Sequence, residues 1–556
     1  MRTLGIDVST QSISGVIIDV SPGGADARVV AEHTLPYRDD ARLSRFGFEP
    51  QTLLIPPRIP GEADQPPRMF LAGLDALLGD LVSRGVDLGS IAAISVSAQQ
   101  HGHVYLNSRF REAVAALGAG GSRRHNTPPP DLATRLADVF AYGAAPIWQT
   151  ADSREAADEI RAAVGGRDAV VRRSGSDSPA RFTAAVMRRT ARRYPEAWRE
   201  TVRVHLLSSF ISAVLSANPD CPIDWGNGSG MTLMDYEQRT WSPELIAAVE
   251  SGVAPGVAER LPPLASPIAV AGRVADYFVA RYGFSPECLV NAGSGDNPQS
   301  KVMTDGDLLS LGTSFVYMVD TGTPTVDLQG YANSMYDGIG RPFVFACRTN
   351  GAMVWDRLRS GYAASYEQAE AALSAAAERR VGGREAGAPE PEPVIWQPYA
   401  ESYPVAPPID HPACREATGD FAALYPALVD SALVLTRHYA RGFEVSPGES
   451  GSDRVRPLAI TGGPSRSPGI VARVAAIFAR PVVVVPQSGA ALGSALSAWE
   501  TWCAHHGAES GLPAARTALA PGRRVEPDPS LVAAYRRSAE SIVEAYCNHP
   551  DPRNSG

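Results

Sequence analysis

Two short stretches hold residue types that could together serve a hydroxyl-to-phosphate transfer. In Leu289-Val-Asn-Ala-Gly-Ser-Gly-Asp-Asn-Pro-Gln299 an apolar strand ends in small residues and delivers one carboxylate, Asp296, beside Asn297. A second strand then runs into Leu311-Gly-Thr-Ser314, a tight polar turn inside an apolar hairpin. Gly312 and Thr313 make that turn the size of a phosphate. A carboxylate at a strand end followed by such a turn is what this transfer requires.

The elements around these stretches must bring them a ligand. Residues 3–20, TLGIDVSTQSISGVIIDV, read as a β-hairpin: Leu4 and Ile6 on one strand, Val16, Ile17 and Ile18 on the return. Asp7 is an acid set in an apolar strand, which is costly without compensation. It either faces Mg²⁺ and phosphates, with Ser9 and Thr10 offering hydroxyl and N–H donors, or caps a strand end. The 308–320 run repeats this hairpin about half a chain later. Two such hairpins resemble the actin-like ATPase plan, in which ATP lies between two similarly built domains.

Ile91–Tyr105 reads as a buried strand, a polar elbow and an outgoing strand. Gln99, Gln100 and His101 stand at the C-terminal end of the first strand, where α/β sheets place ligands. Amide and imidazole groups both donate and accept, which suits a hydroxyl-rich ligand. A satisfied loop histidine is the alternative for His101, and His103 reads as structural. Residues 169–183 form a Gly/Ser/Pro loop ending in Arg181, anchored by Phe182 and a helix over 184–193. Residues 202–216 read as helical. Pro457–Ser467 is a strand ending in Gly462-Gly463, a turn that lets backbone approach a flat ligand closely. Residues 373–393, rich in Ala, Glu, Gly and Pro, read as a solvated excursion, and the polar tail after about residue 504 holds one helix over 529–546.

The 556 residues are too many for one core and imply two large domains. A net charge of −9, from 60 acidic and 51 basic residues, argues against a broad nucleic-acid surface. The six cysteines are scattered with no C-x-x-C pair, which favours free thiols in a reducing compartment. No signal-peptide pattern or membrane-length apolar run stands in the sequence, so a cytoplasmic protein without membrane contacts is expected.

The ordered set DVSTQS, SAQQHG, SGDN, SLGTS and TGG resembles the FGGY carbohydrate kinases. Ser95–Tyr105, Arg181-Phe-Thr183, Ser208-Ser-Phe210, Pro222-Ile-Asp224, Gly228-Ser-Gly-Met231, Tyr282-Gly-Phe284, Gly295-Asp-Asn-Pro298 and Ser310–Ser314 are similar to the animal-type xylulose kinase branch. The resemblance covers roughly residues 3–500, with gaps near 107–145 and 360–420. It implies an α/β fold of two actin-like (ribonuclease H-like) ATPase domains with a cleft between them. The expected domains are 1–266 on the sugar and phosphate side and 267–503 on the catalytic-Asp and adenosine side, with a tail over 504–556.

The implied reaction is ATP-dependent phosphorylation of a ketopentose, D-xylulose to its 5-phosphate, by a monomer or homodimer using Mg²⁺. In that scheme Asp296 is the general base. Gln100, His101, Arg181 and Asn297 hold the sugar, and Asp7 works with the metal. Ser9, Thr10, Gly312 and Thr313 serve the phosphates, and Gly462 and Gly463 face adenosine.

The sequence departs from the family at two places. Thr150 stands where the family's Trp-x-Asp segment often has its acid, and the acid appears at Asp152: either the turn is shifted or a sugar contact is lost. Pro464 removes an N–H from the adenosine turn. Thr150 keeps open another sugar or polyol, such as ribulose. A non-catalytic sugar-binding relative and an actin- or Hsp70-like ATPase are the readings from other classes.

Overall fold

The computed structural model describes residues 1–119, 130–329, 332–382, 392–402, 405–443, 456–485 and 489–549. Residues 120–129 of the expected gap near 107–145, residues 383–391 of the expected excursion and residues 550–556 of the tail lie outside these ranges.

Nearly continuous apolar runs need cover on both faces, as the inner strands of α/β sheets have. Such runs build β1 (Arg2–Val8), β2 (Ser12–Val20) and β4 (Ile91–Ala98), with β3 (Ala27–Pro36) at the edge. β5 (Val270–Arg273), β6 (Leu289–Asn291) and β7 (Ser294–Gly295) complete a first sheet of order β5-β6-β4-β1-β2-β3, with β7 also beside β4. β1, β2 and β3 are antiparallel, whereas β4, β6 and β7 run parallel to β1 or to each other.

The second sheet repeats this plan. β8 (Leu308–Leu311), β9 (Phe315–Asp320), β10 (Asn333–Tyr336) and β11 (Pro342–Arg348) are antiparallel neighbours. β12 (Leu458–Thr461) and β13 (Val482–Val484) then run parallel to β8, and β14 (Arg523–Val525) closes the edge. The sheet order is β10-β11-β9-β8-β12-β13-β14. The two hairpins expected from the sequence, β1–β2 and β8–β9, occupy equivalent places.

The sheets divide the chain differently from the expected boundary at 266/267. Residues 270–295 complete the first sheet, so Asp296 leaves from that sheet and not from the second. The helix Ala490–His506 packs on β1: a Cβ at Gly5 would run into the Ala491 carbonyl, so only glycine admits the helix there. The expected tail supplies β14 and the helix Pro529–Cys547, whose Leu531, Tyr535 and Ile542 join the second core.

Three further local readings are corrected. Arg167–Ser174, overlapping the start of the expected 169–183 loop, is helical; Val170 and Val171 are buried, and Gly175 ends the helix with φ +79. Arg203–Leu206 is a strand paired with His103–Leu106, and the helix starts only at Leu207. Tyr366–Val381 is a helix opened by a Ser365/Gln368 capping box, so the expected excursion starts as helix over 373–381, with Leu373 buried and the residues after it partly or fully exposed.

Candidate active site

Strand register gathers the first group of residues. β1, β4 and β7 lie side by side, with Asp7 opposite Ser97 and Gly295 opposite Ala98. Ser9–Thr10, Gln99–His101 and Asp296–Asn297 therefore leave the same sheet edge together. On the second sheet Ser310 stands opposite Thr461, so Gly312 and Gly462 leave beside each other. A Cβ on Gly462, which has φ +101, would enter the Leu311 carbonyl, whereas Gly463 has open space above it.

A cleft of about 1390 Å³ takes in both sides. Gln100, His101, Arg181, Asp296 and Asn297 line it with Trp148 and Thr150, and Ser314, Asn333, Phe345, Cys347 and Thr349 line it from the second sheet.

Asp296 is the first residue of the short helix Asp296–Lys301. Its Oδ1 accepts the N–H of Gln100 at 3.3 Å, the N–H of Asn297 at 2.9 Å and the Asn297 amide at 3.2 Å. These donors all reach one oxygen and leave Oδ2 for the cleft. Protein packed around the carboxyl pushes its pKa up to about 7, and the charge of Asp7 adds to the rise. Burial likewise lifts Asp7 to about 6, partly offset by the Ser97 hydroxyl donating at 2.7 Å.

Burial first, and then the Arg181 charge, lower His101 to about 3, so the ring is neutral. Its Nδ1–H donates to the Gly230 carbonyl at 2.8 Å, since a carbonyl can only accept. Nε2 is left as a bare acceptor. The ring lies 4.2 Å from Phe182, and the backbone is held at φ 66, an unusual conformation for histidine. Among the described residues no carboxylate pairs with Arg181. Gln100 accepts from Asn297 at 3.0 Å, and its own amide nitrogen is buried without a partner.

Two expectations change in detail. The hydroxyls of Ser9 and Thr10 are committed inside the chain: Ser9 donates to the Ser12 carbonyl at 2.9 Å, and Thr10 donates to Gln99 at 2.9 Å while accepting from the Trp148 indole at 2.9 Å. The Ser9 N–H also donates to the Ser12 carbonyl, at 3.0 Å, so of these two residues the Thr10 N–H remains for an anion. The question at Thr150 also resolves. Its hydroxyl donates to the Ala63 carbonyl at 3.2 Å, and Asp152 is held by Arg189 at 3.3 Å and by Arg193. Neither offers a carboxylate to the cleft.

Sequence reading gave no role to Trp148 or Asp224. Trp148 is 45% exposed in a loop on the cleft wall, and a large exposed aromatic is itself a signal. Asp224 caps the helix Trp225–Ser229 and accepts from Ser294 at 2.5 Å, two residues before Asp296. Asp224 stood in the Pro222-Ile-Asp224 stretch, but its link to Ser294 gave no such signal, because that partner is 70 residues away.

Residues 308–502 match the C-terminal domain of the FGGY family of carbohydrate kinases. The chain is also 28% identical to the mouse xylulose kinase over 98% of its own length and 92% of that protein. The chain thus carries a match to the C-terminal domain of FGGY carbohydrate kinases and is similar to xylulose kinases along nearly its whole length. The fold agrees. The crystal structure of xylulose kinase from Rhodospirillum rubrum superposes with TM-score 0.74 at 18% identity, covering 98% of each chain. That of Plasmodium falciparum glycerol kinase with ADP does so with TM-score 0.72 at 15% identity, covering 98% of this chain and 97% of that one. This kinase thus has two sheet-centred domains of the actin-like ATPase fold. Among the described residues no helix is long and apolar enough to cross a membrane.

Proposed function

We propose that this kinase transfers the terminal phosphoryl group of ATP to the primary hydroxyl of a ketopentose, converting D-xylulose to D-xylulose 5-phosphate. The observation that carries the reading is Asp296: a desolvated carboxyl with a pKa near 7, all neighbouring donors on Oδ1, and Oδ2 open to a cleft whose other wall includes Ser314 of the Gly-Thr-Ser turn. A base is most effective when its pKa lies near the working pH. The hydroxyl proton passes to Oδ2 as its oxygen bonds to phosphorus and the bond to ADP breaks. Neutral His101, Gln100, Arg181 and Asn297 orient the sugar. The likeness to xylulose kinases along nearly the whole chain supports the choice of sugar.

The residues fit a bound nucleotide. Gly462 permits the contact between β12 and β8, and open space over Gly463 leaves its backbone free to meet a flat base. Thr313 presents an exposed turn for phosphate. Asp7, raised by burial and compensated only by Ser97, suits a neighbouring cation. Among the described residues no cluster of three or more metal-ligating side chains forms. Mg²⁺ would thus rest on the phosphates, water and this one carboxylate, and would neutralise developing charge. Closure of the two domains would exclude water from the transfer. All six cysteines are free, which supports a cytoplasmic setting.

The absence of a carboxylate at Thr150 favours keeping ribulose and related polyols in view. Coupled ADP-release assays with ATP and Mg²⁺ across ketoses, aldoses and polyols test both readings. Turnover greatest on D-xylulose is expected. Preference for another sugar replaces the substrate, and no turnover on any of them removes the catalytic reading.

A further inference from the structure

We infer that Glu401 is a positioning residue for the Gly312–Ser314 turn. The proposal rests on the reading that this turn meets the phosphates of ATP. The loop 349–351 backs the turn directly. The Ala352 N–H donates to the Gly312 carbonyl at 3.0 Å, and the Ser314 hydroxyl donates to the Thr349 carbonyl at 3.3 Å. A Cβ on Gly351 would sit 2.6 Å from the Thr313 carbonyl oxygen, so loop and turn touch with no space between them.

Glu401 holds this loop. Its side chain is fully buried and accepts the N–H of Thr349 at 2.7 Å, the N–H of Asn350 at 3.0 Å and the Asn350 amide at 2.8 Å. The Arg348 guanidinium lies 3.6 Å from the same carboxylate. Asn350 is gripped a second time by the Tyr399 backbone, at 2.8 and 3.1 Å. The guanidinium of Arg348 lies 5.9 Å from the Tyr546 ring on the helix Pro529–Cys547. The segment around 392–402 and the C-terminal helix thus form one support, ending at the phosphate turn. A carboxylate is required, because three N–H donors and a cation converge on it and an amide would turn a donor toward them.

The test uses the full chain. Binding of ADP and of a non-hydrolysable ATP analogue is measured by calorimetry, alongside KM for ATP and for the sugar, in Glu401→Gln and Gly351→Ala. Gly351 has φ −95, and a Cβ there meets the Thr313 carbonyl oxygen, the Ser314 carbonyl carbon and the Phe315 nitrogen within 2.8 Å, so alanine presses directly on the turn. Both variants are expected to weaken nucleotide binding and raise KM for ATP by about ten-fold, with KM for the sugar within about two-fold. Equal changes in both KM values, or nucleotide binding unchanged in Gly351→Ala, overturn the assignment, even if Glu401→Gln fails to fold. A parent chain that binds no ATP removes the ATP reading and this one together. A parent that binds ATP but phosphorylates no sugar leaves the binding comparison decisive.

Discussion

Replacing Asp296 by Asn should abolish transfer and at the same time stabilise the protein at neutral pH. Asn keeps an oxygen at the Oδ1 position, where the Gln100 and Asn297 donors converge, so the local hydrogen bonds survive. What disappears is a charge the fold disfavours. The carboxyl rises from 3.8 to about 7 on folding, because burial and the charge of Asp7 both penalise the ionised form. At about 1.4 kcal/mol per pH unit, the difference approaches about 4 kcal/mol once the group is fully ionised in both states.

The sign follows from proton binding. Between pH 3.8 and about 7 the folded chain holds a proton that the unfolded chain has lost. The native carboxyl therefore costs stability progressively as pH rises through that window, and the cost levels off above it. Urea unfolding of parent and variant from pH 5 to 8.5 should show the variant's advantage growing by about 1.4 kcal/mol per unit up to pH 7 and then staying constant. Transfer should fall by about 10²-fold or more, with nucleotide affinity retained. An advantage that does not change with pH, a variant less stable at pH 8, or retained sugar phosphorylation would refute the reasoning.

Four other substitutions probe separate parts of the molecule. His101→Ala and Arg181→Ala should raise KM for the sugar about ten-fold or more and leave KM for ATP nearly unchanged; parallel losses in steady-state kinetics would remove the sugar role. Gly462→Ala combines a positive φ with collision against the Leu311 carbonyl, so thermal unfolding should show a loss of about 1–3 kcal/mol together with weaker ADP binding. Asp430→Ala removes a buried carboxylate that meets Arg473 at 2.9 Å, Arg380 at 2.9 Å and the Tyr535 hydroxyl at 2.6 Å. It leaves Arg473 buried without its charge partner, and urea unfolding should record about 3–5 kcal/mol.

Much of the site was legible because it is written in local pattern. Asp7, Gln100, His101, Asp296, Gly312 and Gly462 each end or interrupt an apolar strand, and in parallel sheets strand ends share an edge. The division of the chain was not legible. Whether β5–β7 join the first or the second sheet depends on pairing with a strand some 190 residues earlier, and no local periodicity carries that. The start of the 373–393 excursion did not read as helix because alanine is neutral in hydropathy; the helix Tyr366–Val381 that includes it is held by Phe421–Ala440 packed against it. The commitment of Thr10 to Gln99 and Trp148 also depends on distant partners, although each residue type was visible.

The placement of Asp7 beside Asp296 carries a consequence for pH dependence. Asp7 raises the pKa of Asp296, so a positive charge arriving at Asp7 removes part of the rise and lowers the pH at which the base becomes available. For the free kinase the acid limb should lie near pH 7, whereas kcat/KM for the sugar measured at saturating Mg²⁺ and ATP should have its acid limb at lower pH. Asp7→Asn should move the limb of the nucleotide-free form in the same direction, read as the pH dependence of sugar binding without nucleotide. It should also diminish the further movement caused by Mg²⁺ and ATP, because the charge being neutralised is already gone. Coincident limbs in all these conditions would mean that burial alone sets the base, and that Asp7 acts on the nucleotide without tuning Asp296.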